Sequence, residues 1–174
     1  MRSLESYVRS IPDFPQKGII FRDITSVVQD ADGLHLAVDT MQKLVSDIDF
    51  DIVVVEESRG FIFGTPIAYN LHKPVALARK KGKLPCETVS TEYALEYGTA
   101  TIEMHKDAIK DGQRVLIVDD LLATGGTIAA SIELIEKLGG VVAGIVVLIE
   151  LEGLNGRAKI GNYRVESAIK YSGK

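Results

Sequence analysis

At 174 residues the chain is long enough for one well-formed core and too short for two ordinary domains. Its 46% hydrophobic and 25% charged residues belong to a folded globular protein, and a net charge of −4 argues against a general nucleic-acid binder, whose footprint is basic. One cysteine, Cys86, excludes an internal disulfide and a cysteine-rich metal site, and fits a reducing cytoplasm.

The opening stretch MRSLESYVRSIPDF carries charges throughout, so it reads as a short helix before Pro12 and not as a signal peptide. No apolar run approaches the roughly 20 residues that cross a bilayer, so no membrane partner is expected and the chain is placed in the cytoplasm. Leu34, Val38, Met41, Val45 and Ile48 recur at helical spacing and predict a helix over Leu34–Ile48. Nearly continuous apolar runs predict strands at Ile52–Val55, Val75–Ala78, Val115–Val118 and Val141–Ile149, the last long enough to include a bend. A helix follows Gly60, with Pro66 near its start and Leu71 near its end. Another runs from about Gly126 to Leu138, stopped by Gly139-Gly140. Between Lys80 and Gly98 the pattern fails: the stretch is polar and Thr-rich, and reads as a mobile loop or a loose hairpin. The stretches before Pro12 and after Glu150 read as additions to the core. Strands alternating with helices predict an α/β fold with a largely parallel sheet flanked by helices.

The most telling segment is VLIVDDLLATGGT, Val115 to Thr127. Its apolar run ends at Asp119 and Asp120, placed where the strand leaves the sheet, the edge at which ligands bind in open α/β sheets. Ala123, Thr124, Gly125, Gly126 and Thr127 then form a turn at a helix N-terminus, whose unpaired amides and dipole attract a phosphate. The turn lacks the lysine of a nucleotide-triphosphate loop, so it suits a monophosphate. A sugar phosphate satisfies both halves, its diol meeting the acids and its phosphate the amides. The plain alternative is an acidic helix cap that binds nothing. Glu57-Ser58-Arg59-Gly60 follows a strand directly, and Arg79, Lys80, Lys81 and Lys83 form a cationic run that by itself reads as a solvated loop. His35, His72 and His105 show no metal-ligand spacing; His105 is expected just before a short helix.

VLIVDDLLATGGT resembles the phosphoribosyl-pyrophosphate motif of the type I phosphoribosyltransferases, and DDLLATGGT the form of its adenine-using branch. PDFPQKGIIFRDIT, ESRGFIFGTPIA, RKKGKLP and YALEYGT recur in matching order, so the resemblance spans nearly the whole chain and is weakest after Glu150. It implies the type I phosphoribosyltransferase fold as one domain over 1–174, with a small hood from about 1–30 and 150–174 and a mobile catalytic loop over about 80–102. It further implies an enzyme moving the 5-phosphoribosyl group from phosphoribosyl pyrophosphate to adenine, giving AMP and pyrophosphate in purine salvage.

In that picture Asp119 and Asp120 meet the ribose 2′- and 3′-hydroxyls, and Ala123 through Thr127 hold the 5′-phosphate. Glu57, Ser58 and Arg59 form the pyrophosphate loop, where a non-proline cis peptide is expected at Glu57–Ser58. Arg79, Lys80 and Lys83 offset the leaving-group charge, part of this stretch serving a neighbouring subunit, which implies a homodimer. Glu96 is the general acid/base reaching N7 of the purine, with Tyr97 beside it in the loop. Phe21 stacks on the base while backbone groups of Ile20 and Arg22 read its edge. Mg²⁺ is the implied cofactor, held mainly by the substrate and by no protein ligand directly. Glu56 departs from the pattern, since small or neutral residues are frequent before the pyrophosphate loop. A 6-oxopurine such as xanthine remains an alternative acceptor, and a non-catalytic sensor of the sugar diphosphate a more distant one.

Overall fold

The computed structural model describes residues 2–94 and 98–173. In chain order these form β1 (Arg9–Pro12), β2 (Ile20–Asp23), α1 (Thr25–Val28), α2 (Ala31–Leu44), β3 (Ile52–Glu56), α3 (Gly60–Asn70), β4 (Val75–Lys80), β5 (Thr88–Ala94), β6 (Thr99–His105), β7 (Arg114–Leu122), α4 (Gly126–Lys137), β8 (Val141–Leu151), α5 (Gly156–Ile160) and β9 (Val165–Tyr171). Short 3-10 turns lie at Leu4–Tyr7 and Glu152–Leu154.

Strands that are apolar at almost every position need cover on both faces, and they take the middle of a seven-stranded sheet ordered β5-β6-β4-β3-β7-β8-β9. From β4 to β9 all pairings are parallel. One face packs against α2 and α3 through Met41, Phe63 and Ile67, the other against α4 through Ile128 and Ile135. From β3 the chain crosses through α3 to β4 on one side; from β7 it crosses through α4 to β8 on the other. The chain therefore reverses its direction of growth between β3 and β7. A crevice opens at the carboxyl ends of such a strand pair, because the two following helices depart to opposite sides.

Several boundaries differ from the sequence expectation. Asp119 and Asp120 lie inside β7, which continues to Leu122 with Asp119 opposite Val147, so carboxylates that look like a strand end are held within the ladder. α2 starts earlier than expected because Asp30 caps it, accepting from the amides of Asp32 and Gly33 at 3.0 Å. Pro66 sits midway along α3 and not near its start. The expected bend in β8 is a bulge at Ala143, where Val115 pairs with Val142 and Leu116 with Gly144. The polar excursion is a hairpin, β5 pairing antiparallel with β6, which joins β4 at Arg79 and Lys80. His105 ends β6 with no helix after it, its Nε2 2.7 Å from the Pro85 carbonyl oxygen. At the N-terminus β1 and β2 make a separate antiparallel ribbon. The stretch after Glu150 is no simple addition: β9 is the edge strand of the main sheet, paired with β8 from Ile145 to Leu151.

Candidate active site

The crevice at the β3–β7 switch point holds a cavity of about 380 Å³ lined by Glu57, Ser58, Arg59, Lys80, Asp119, Asp120, Leu121 and Thr127. All but Leu121 are residues that the sequence singled out. Two helix N-termini converge there, since Arg59 caps α3 and Gly125 caps α4. The first amides of each helix have no intrahelical acceptor, so the cavity floor carries positive potential.

Each side chain is placed by a distinct local cause. The peptide bond Glu57–Ser58 is cis, as expected for this loop. Gly60 begins α3 hard against β7: a Cβ there would stand 2.9 Å from the Val118 carbonyl oxygen. Gly125 takes φ +80°, a left-handed conformation that favours glycine, and turns the chain from β7 into α4. A Cβ on Gly125 would also lie 2.4 Å from the Gly156 carbonyl oxygen, so α5 buttresses the turn from behind. On its other side the turn meets the hairpin, with Thr127 Oγ1 3.4 Å from the Tyr93 hydroxyl on β5.

The two aspartates differ in state. Arg59 Nε meets Asp120 Oδ2 at 2.6 Å. Among the described residues Asp119 has no cation partner; burial raises its carboxyl well above the ordinary range, and the charges of Asp120 and Glu56 add to the rise. The Asp120 amide donates to Asp119 Oδ1 at 2.8 Å and works the other way. A carboxyl in this condition gives up its proton readily only when a ligand supplies hydroxyl donors or positive charge.

Glu57 and Arg79 serve one another. Arg79 Nε and Nη2 each lie 3.3 Å from a Glu57 oxygen, and the Lys80 amide donates to Glu57 Oε2 at 2.8 Å. Burial alone would raise the Glu57 carboxyl, but the Lys80 amide and Arg79 overcome it and hold it low. Arg79, expected to offset leaving-group charge, is thus committed to Glu57, and also donates to the Lys83 carbonyl at 3.3 Å. Lys80 reaches the cavity, while Lys81 to Lys83 form a turn whose Gly82 amide donates to Glu103 Oε2 at 3.0 Å.

Ile20, Phe21 and Arg22 lie on the ribbon strand β2, outside the lining of the cavity. The ribbon is tied to the crevice through Asp23, whose carboxyl is lowered first by the Thr25 hydroxyl and amide and then by Arg9 and Arg59. Phe21 meets Phe14 edge to face at 5.3 Å and belongs to neither core cluster, which leaves it free to serve a ligand. The Arg22 guanidinium stacks 3.7 Å above the Tyr171 ring, pinning the ribbon to β9. Glu96 and Tyr97 fall outside the described residues.

Sequence reasoning missed three contributors. Tyr93 sits within the quoted YALEYGT motif, yet only the hairpin register brings it to Thr127. Gly156 and the Glu150–Arg157 pair behind it lie in the stretch taken as least distinctive. Arg157 is bidentate to Glu150 at 2.6 and 2.7 Å, and also donates to the Val165 carbonyl at 2.9 Å. Arg157 and its other partners hold the Glu150 carboxyl low against its burial. Glu56 is the third, treated below.

The phosphoribosyl transferase domain family matches residues 30–172. An adenine phosphoribosyltransferase of Lachnoclostridium phytofermentans is 66% identical over 174 residues, covering all of both chains. The crystal structure of adenine phosphoribosyltransferase from Thermoanaerobacter pseudethanolicus superposes with a TM-score of 0.93 at 51% identity, over 97% of this chain and 98% of that one. The Saccharomyces cerevisiae enzyme, solved with adenine and an imino-altritol bisphosphate, is 35% identical with a TM-score of 0.88, over 95% of this chain and 96% of that one. A polar crevice at the switch point of this sheet and full-length likeness agree: the chain belongs to the phosphoribosyl transferase domain family, within the adenine phosphoribosyltransferases.

Proposed function

We propose that the crevice binds phosphoribosyl pyrophosphate and transfers its 5-phosphoribosyl group to adenine, releasing pyrophosphate and forming AMP. The observation that carries this reading is the meeting of Asp119 and Asp120 with the Glu57–Arg59 loop and with Thr127, at the end of the turn that opens α4, in one cavity. The 5′-phosphate takes the amides opening α4, and the diol takes the two aspartates. That leaves the diphosphate over Ser58, Arg59 and the amides opening α3, with Lys80 and Lys83 adding positive charge. As the C1′–O bond to pyrophosphate lengthens, charge builds on an oxocarbenium-like carbon, which the fixed carboxylates stabilise. Arg59 has Asp120 as its partner in this structure and exchanges it for the diphosphate when substrate enters.

Adenine then stacks on Phe21, read by backbone groups of Ile20 and Arg22. A fixed carbonyl and amide match the amino donor and ring acceptor of adenine; a 6-oxopurine presents the reverse and leaves buried groups unpaired. Glu96 exchanges a proton at N7 of the base, with Tyr97, its neighbour in sequence, among the substrate-binding residues.

The donor set suits Mg²⁺ carried by the substrate. Among the described residues no three His, Cys, Asp or Glu side chains gather as a metal cage, and Asp120 is engaged by Arg59. Diphosphate oxygens and waters are natural ligands for this ion, which when bound neutralises leaving-group charge. We read 1–174 as one domain whose β1–β2 ribbon hoods the base. A homodimer is supported by exposed apolar residues on α3, at its C-terminal end and on β4: Ile62 and Tyr69, the latter at 85%, then Leu71 and Leu77. A cytoplasmic setting is supported by the exposed free thiol of Cys86; among the described residues no helix is long and apolar enough to cross a membrane.

The decisive experiment supplies adenine, phosphoribosyl pyrophosphate and Mg²⁺ and follows AMP by chromatography. Failure to form AMP, or preference for xanthine over adenine, rejects the reading.

A further inference from the structure

Glu56 ends β3 with only 1% of its surface exposed, and neither carboxyl oxygen has a hydrogen-bond partner. Parallel register sets Val55 beside Val118, so the next step brings Glu56 beside Asp119. The neighbours on its other sides carry no charge. On β4 its partner is Ala78. The buried face of α4 is apolar except for Ser131, whose hydroxyl is itself buried and unpartnered. The Asp119 carboxyl is therefore the ionisable neighbour that strand register sets beside Glu56.

Two carboxylates side by side, one wholly buried and the other open only towards the cavity, resist being charged together when neither has a cation beside it among the described residues. Burial pushes Glu56 up to about 8. At neutral pH it is a carboxylic acid, an O–H donor with no fixed acceptor. Nothing in sugar-diphosphate chemistry requires an acid at this depth, and a leucine would fill the volume. What leucine lacks is a proton beside Asp119.

We propose that Glu56 is a positioning residue for sugar-diphosphate binding: as a neutral acid beneath α4 it lets Asp119 become anionic when the ribose diol docks, and its own ionisation withdraws that capacity. The inference rests on assigning Asp119 to the diol. When Asp119 loses its proton, the Glu56 O–H is the donor at hand to receive the new charge. If Glu56 is ionised first, Asp119 retains its proton and meets the diol as a weaker acceptor.

The test compares wild type, Glu56→Gln and Glu56→Leu. Glutamine keeps a donor and cannot ionise; leucine keeps volume alone. At pH 7 we expect Glu56→Gln to hold kcat/KM for phosphoribosyl pyrophosphate within about twofold of wild type. We expect Glu56→Leu to raise that KM about tenfold at unchanged kcat, the effect of one lost hydrogen bond to a charged group. Above pH 8 wild type should lose up to about tenfold in kcat/KM per pH unit relative to Glu56→Gln, as a proton required for binding is lost. Infrared difference spectra without substrate should show a protonated carboxyl band at pH 7 in wild type that Glu56→Gln lacks. Parallel pH profiles for wild type and glutamine variant, or absence of that band, overturn the proposal even if the leucine variant fails to fold. Unchanged substrate KM in Asp119→Asn instead strikes the diol assignment.

Discussion

Gly125 and Gly156 pack backbone to backbone, so close that a Cβ on Gly156 would stand 2.3 Å from the Ala123 carbonyl oxygen and one on Gly125 2.4 Å from that of Gly156. The Ala123–Thr127 turn is thus braced by a residue outside the lining of the cavity. Gly156→Ala should cost about 1–3 kcal/mol of stability through overpacking. It should also raise the KM for phosphoribosyl pyrophosphate about tenfold while leaving that for adenine nearly unchanged, since about 1.4 kcal/mol of displaced contact corresponds to that factor. Steady-state kinetics with each substrate varied in turn checks the split; equal losses for both would show a general disturbance.

Behind Gly156, Arg157 neutralises Glu150, a carboxylate 4% exposed on β8. Arg157→Met strands that charge. Breaking a buried pair costs about 3–5 kcal/mol, and about 2 kcal/mol is expected here because the Arg157 side chain stays 41% exposed. Thermal melts at pH 7 measure it. Glu150 is lowered in the folded state, so its contribution is present above the ordinary glutamate range and lost as pH falls through its folded value. The deficit of Arg157→Met should therefore shrink in acid.

Glu56 gives the opposite pH signature. Its folded value is raised from 4.5 to about 8, so the stability tied to its proton is full below 4.5 and is lost as pH rises towards 8. Glu56→Gln should gain in melting temperature relative to wild type between pH 5 and pH 9. Parallel melting curves across that range would contradict a buried neutral acid.

The Arg22–Tyr171 stack predicts a base-specific effect. Tyr171→Ala frees the ribbon that carries Phe21 and should raise the adenine KM several-fold, in keeping with about 1 kcal/mol for a cation over an aromatic ring. Tyr171→Phe keeps the ring and should behave as wild type. Phe21→Ala should act in the same direction and more strongly. Isothermal titration with phosphoribosyl pyrophosphate should find its affinity unaltered in all three.

For Glu96 the expected outcome is a turnover effect. Glu96→Gln should lower kcat by about 10²–10⁴-fold, the range of a lost general acid/base, with little change in sugar-diphosphate binding. Normal turnover, or equal losses in binding and rate, would remove Glu96 from its role.

The parts of the fold legible in the sequence are those where burial covers both faces of an element. β3, β7 and β8 announce themselves as apolar runs because their central positions are buried on both faces of the sheet. β5 and β9 do not: β5 is buried only at Thr91, and β9 only at Val165 and Ile169, so neither reads as a run or an alternation. The cavity-lining residues were legible because strand, acid and glycine turn are adjacent in sequence. The Glu57–Arg79, Tyr93–Thr127 and Gly125–Gly156 contacts were not, because each joins segments that only the sheet order brings together. Glu56 was visible as an oddity, but its seat beneath α4 depends on strand register.

Asp119 and Asp120 are chemically identical and separated by one peptide bond, yet one is sequestered beside Glu56 and the other is locked to a guanidinium. A change in the interior under α4 bears directly on the first, whereas a change at the head of α3 bears directly on the second and reaches the first only through the charge of Asp120. Evolution thus has two points of entry to a pair of acids that any alignment would score as a single motif.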